Sequence, residues 1–96
     1  ESDARADWLR YIGSEVCQAL ELGIPIEGIC LYPIVDFPGW GDDRHCETGL
    51  WGLADEHGHR EICKPLAEEL VIQQTAIEEM KSIMSEKLEF AASAAA

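Results

Sequence analysis

The chain has 96 residues, enough for one domain or part of one built on a single small core. An apolar fraction of 47% is too high for a disordered tail, and 7 Lys and Arg against 19 Asp and Glu leave a net charge of −12. That balance argues against nucleic acid and anionic membrane surfaces, because phosphate recognition needs clustered cations. No apolar run approaches the roughly 20 residues of a bilayer span.

The opening residues, Glu1-Ser2-Asp3-Ala4-Arg5, do not read as a signal peptide and lack an initiator Met, as expected of a processed product or an excerpt. Cys17, Cys30, Cys46 and Cys63 contain no C-x-x-C pair, and a secreted disulfide framework would be denser. They read as reduced thiols of a cytoplasmic protein, with Cys17 and Cys30 among apolar neighbours.

The first element is a helix. Trp8, Leu9, Ile12, Val16, Ala19 and Leu20 recur at helical spacing, with Ser2 or Asp3 as cap and Gly23 followed by Pro25 as the stop. Next, Ile29-Cys30-Leu31-Tyr32 is continuously apolar, which predicts a strand covered on both faces as in a parallel sheet. From residue 34 to 62 the pattern breaks, with Gly39, Gly41, Gly49, Gly52 and Gly58 among charges. Only the stretch 49–55 looks ordered there, as a short strand turning at Glu56-His57-Gly58. A long helix then opens at Pro65, and Leu70, Gln73, Ile77, Met80 and Met84 form a seam that a partner helix could fill. The ending Ala91-Ala92-Ser93-Ala94-Ala95-Ala96 is low-complexity. Helix, doubly buried strand, loop, helix leaves the strand without neighbours, and unpaired buried backbone groups cost about 1–3 kcal/mol each. The chain therefore reads as incomplete as a monomer.

Arg5, Trp8, Leu9, Ala19, Gly23 and Gly28, then Tyr32-Pro33-Ile34-Val35-Asp36-Phe37-Pro38-Gly39-Trp40 and Gly49-Leu50, together resemble the C-terminal stretch of family 1 glycoside hydrolases, the β-glucosidase-like enzymes. That family's pattern runs R-x-x-Y-L, A-I-x-x-G, G-Y-F-x-W-S-L-L-D-N-F-E-W and R-F-G-L, in register without a gap from Arg5 to about Leu50. Asp55, Arg60 and Lys64 approximate the motif that follows, so the resemblance covers residues 5–71.

The resemblance implies an α/β fold: a partial (β/α)8 barrel segment of helix seven, strand eight, its loop and helix eight, oligomeric or incomplete as a monomer. Residues 1–71 would be this C-terminal quarter, 72–90 a helical extension and 91–96 a tail. It places Tyr32 and Trp40 where the family sets tryptophans against the sugar. Gly39 replaces the family's glutamate that bonds glycon hydroxyls, Pro33 and Phe37 replace Ser and Asn, Ile12 replaces a helix His, and Glu47-Thr48 stand for R-F. A retaining glycosidase needs two carboxyl groups about 5–5.5 Å apart, and the motifs carrying them, N-E-P and E-N-G, do not occur here.

The expected function is thus a fragment of a β-glucosidase-like glycoside hydrolase. It lends Tyr32, Asp36 and Trp40 to a sugar site, has no catalytic residue or cofactor of its own, and is inactive alone. The alternative is a non-catalytic, self-associating fragment; homo-oligomer or missing barrel portion are the expected partners, with carbohydrate bound on completion. Asp36 reads first as an acceptor for loop amides and second as a substrate contact, and Trp40 reads equally as a sugar platform or as packing. Trp8 reads as core between helix and sheet. A third reading is a zinc-stabilised binding module, because Cys46, His57, His59 and Cys63 offer four metal-binding side chains, or else loop histidines and a spare thiol. Asp42, Asp43 and Glu47 near His45 read as a solvated acidic loop before a hard-cation site or a carboxylate–imidazole base.

Overall fold

The computed structural model describes residues 3–38 and 45–95. Two helices dominate: α1, Ala4–Glu21, and α2, Lys64–Ala95. Asp3 caps α1, its side chain accepting from the Arg5 backbone N–H at 2.8 Å. At the far end Gly23 takes φ +84°. Its N–H reaches the Leu20 carbonyl, and the Ile24 N–H reaches that of Ala19, both at 3.0 Å. This pair of bonds is a Schellman closure, the stop expected of Gly23.

Along α1 the buried residues are Ala6, Leu9, Gly13 and Leu20; along α2 they are Leu66, Glu69 and Gln73. Each set repeats at helical spacing, so the two lines face one another. Leu9, Leu66 and Leu50 form the core, with Ile62, Cys63, Ala67 and Leu70 packed around it. At Gly13 a Cβ would overlap the Gln73 side chain, so the missing side chain makes room for it. Gln73 Nε2 in turn donates to Glu69 Oε2 at 2.7 Å, and Arg10 Nη2 donates to Glu69 Oε1 at 2.7 Å. The seam predicted on α2 is therefore filled over its first half by α1. An 18-residue helix is about 27 Å long and a 32-residue one about 48 Å. The second half of α2 outruns its neighbour, which stretches the molecule to 64 × 27 × 23 Å.

Between the helices the chain is mostly irregular. Strands β1, Phe37–Pro38, and β2, His45–Cys46, pair antiparallel over two residues each. Trp51 bridges to Val35 on one side in parallel and to Ile62 on the other antiparallel. The predicted turn falls at residues 55–59, where the Asp55 carboxylate accepts from the His57 and His59 amides and Gly58 takes φ +81°.

The expected α/β fold is overturned. Among the described residues there is no parallel sheet and no barrel segment, and residues 29–32 belong to no strand. Ile29 and Leu31 are half-buried against α2 while Cys30 and Tyr32 are exposed, so this run is covered on one face only. The apolar run lies alongside the helix pair with alternate residues exposed, instead of being sealed in a core. Trp8 also departs from its reading as core, with 48% of its surface exposed.

Glu69, only 3% exposed, is held ionised below the ordinary 4.5 of a glutamate, first by the Gln73 amide and then by Arg10, against the opposing effect of burial. A depressed carboxylate pKa contributes stability above the unfolded value and loses it as pH falls through the folded one. The urea midpoint of the wild-type chain is therefore expected to fall below pH 4.5 more steeply than that of Glu69→Gln. Parallel midpoints for the two would show that this carboxylate does not govern acid stability.

Candidate functional site

The organised part of the irregular region is built around Gly49. Its N–H donates to Asp36 Oδ1 at 2.7 Å, and its carbonyl accepts from Arg5 Nη1 at 3.0 Å. A Cβ there would lie 2.6–2.9 Å from the Val35 and Asp36 backbone, too close for any side chain, so glycine is required by close approach. The Arg5 guanidinium is fixed in turn by Asp3, with Nε to Oδ1 at 3.1 Å and Nη2 to Oδ2 at 3.2 Å. This bond from Arg5 draws the Asp3 carboxyl below its usual range, although burial pulls the other way. Cys63 Sγ reaches the same carboxylate at 3.7 Å, joining the start of α2 to the cap of α1.

Beside this anchor an open groove of about 310 Å³ runs along the first turns of α1. Trp8 and Tyr32 line it with Arg5, Leu31, Thr48 and Leu66. Tyr32 is 77% exposed, and its ring lies 6.4 Å from that of Phe37, tilted by 49°. A second groove of about 360 Å³ lies between α2 and residues 27–31, walled by Leu9, Ile29, Leu70 and Ile77. Lys81 Nζ closes one end of it by donating to the Glu27 carbonyl at 2.6 Å.

The expected site residues separate in this arrangement. Asp36 is buried and spends Oδ1 on the Gly49 amide, the loop-amide role, while Tyr32 projects into solvent. Trp40, Asp42 and Asp43 lie outside the described residues, as do the side chains of His45 and Cys46. His57 and His59 sit on the exposed turn with ring centroids 6.2 Å apart, whereas Cys63 is half-buried at the start of α2. Among the described residues no three metal-binding side chains gather. Reading the sequence by periodicity missed the groove wall at Trp8. That residue neighbours Leu9 at the edge of the apolar stripe, a position as compatible with a rim as with a core.

No family model, curated protein or solved structure matches the chain.

Asp36→Ala leaves the buried Gly49 amide without its acceptor and should cost about 1–3 kcal/mol by urea unfolding. Asp36→Asn, which keeps an oxygen acceptor, should restore most of that loss. Equal destabilisation by both would show that charge, and not the bond to Gly49, fixes the loop.

Proposed function

We propose that this chain is the sugar-contacting portion of a β-glucosidase-like glycoside hydrolase and cleaves no glycosidic bond by itself. One observation carries the reading: Arg5, Asp36 and Gly49, three of the residues on which the resemblance rests, converge on a single anchor across separations of 13 and 44 residues. Such an anchor gives those residues a common physical task, and it holds the loop bearing Tyr32 and leading toward Trp40. Asp36 supports the loop, and Tyr32 and Trp40 offer aromatic faces to a sugar's C–H surface. The acid/base and the nucleophile come from further polypeptide, since the motifs that carry them are not in this sequence. No helix of the described residues is long and apolar enough to cross a membrane. A cytoplasmic location fits the free thiols of Cys17, Cys30 and Cys63.

Incubated with nitrophenyl β-glucoside, the chain should release no nitrophenolate above buffer, while saturation-transfer NMR shows the sugar ring in contact with protein. Absence of transfer would overturn the carbohydrate reading; turnover would overturn the assignment of both carboxyl groups to another polypeptide.

The bare half of α2 favours a second reading, a self-associating protein without catalysis. Ile83, Leu88 and Phe90 are exposed there beyond the reach of α1. Light scattering separates the two readings. A monomer at micromolar concentration removes the second, and a defined dimer or higher oligomer without sugar contact removes the first.

A further inference from the structure

We infer that a second copy of this chain docks along α2, antiparallel to it and about a two-fold axis at Ile83. This gives the self-association reading above its partner and register, and it rests on that reading. Three lines of side chains run down α2. Leu66, Glu69 and Gln73 face α1, and Leu70, Ile77 and Lys81 wall the groove shared with residues 27–31. The third line is bare. Ile72, Ile83 and Phe90 lie on it, exposed by 57%, 47% and 76%. Ile83 stands 11 residues past Ile72, about three helical turns, and Phe90 stands 7 past Ile83, about two.

This line is complementary to its own reverse. Four residues out from Ile83 stand Glu79 on one side and Lys87 on the other. Seven out stand Ala76 and Phe90, and eleven out stand Ile72 and Ala94. Turned end for end against a second copy, the line sets Glu79 level with the partner's Lys87. It sets Ala76 level with the partner's Phe90 and Ile72 level with the partner's Ala94, each pair made twice by symmetry. Beside Ile72 an open groove of about 370 Å³ between α1 and α2 leaves room for that small-residue end. A parallel pairing would oppose acid to acid and base to base. Charge also selects the occupant. The line carries one acid and one base, so it is neutral within a chain of net charge −12. A basic partner finds no excess charge there, and a second copy meets no net repulsion. From Ile72 to Ala94 the contact runs about 33 Å along the helix. A helix pair of that length buries on the order of 1,200 Å² in total, where specific interfaces begin.

Sedimentation equilibrium of the full chain in the micromolar range should report a monomer–dimer equilibrium. Glu79→Lys and Lys87→Glu should each weaken the dimer about tenfold, and the double reversal should restore it. Phe90→Ala should weaken it by a similar factor. Ile83→Asp, which sets two carboxylates against each other on the axis, should leave monomer only. Glu79 and Lys87 are both exposed, so the charge reversals keep the test open if Ile83→Asp disturbs the fold. A dimer indifferent to the single reversals would overturn the antiparallel register and leave self-association standing. A wild-type chain that stays monomeric overturns both, including one that binds a lysine-rich amphipathic peptide in place of its own copy.

Discussion

One glycine with both of its backbone groups gripped by side chains holds the irregular half of this protein in place. Gly49 gives its N–H to Asp36 and its carbonyl to Arg5, so a loop residue is tied at once to an upstream stretch and to the first turn of α1. The adjoining Leu50 can then enter the core with Leu9 and Leu66, and Trp51 can bridge residues 35 and 62. Buried amides and carboxylates are costly unless matched, and here each satisfies the other. The close passage of the Val35 and Asp36 backbone past the Gly49 Cα makes the arrangement intolerant of any larger residue.

A second polar link does for the helix pair what the anchor does for the loop. Arg10, Glu69 and Gln73 form a chain of hydrogen bonds across the α1–α2 contact, next to the small Gly13. Leucines supply the burial, while the polar chain fixes register, since sliding one helix by a turn would strand the Glu69 carboxylate.

Local signals on the helices were legible in the sequence. The Asp3 cap, the Gly23 stop and the first-turn Pro65 are short-range devices whose chemistry does not depend on the rest of the chain. Residues 29–32 were not legible, because a continuous apolar run says that something will be covered but not by what. A sheet was the expected cover; the α2 flank is the observed one, on alternate residues only. The site was readable in part. Asp36 showed as an acceptor at the end of an apolar run, but its partner Gly49 lies 13 residues away across a stretch with no periodicity. Trp8 was misjudged because a tryptophan at the margin of a helical stripe has no sequence mark that separates rim from interior.

The two grooves differ in the chemistry of their walls. The one beside the Gly49 anchor is lined by rings and hydroxyls on the α1 side. The one along α2 is aliphatic, rimmed by Glu27 and Glu78, and bolted by Lys81. Past that lysine α2 runs on to Ala95 through residues that are almost all exposed. Its helicity there derives from local propensity, with Ala the commonest residue, and not from packing within the chain. Warming will fray this overhang turn by turn from its free end. The far-ultraviolet signal will therefore decline gradually well before the leucine core melts in one cooperative step.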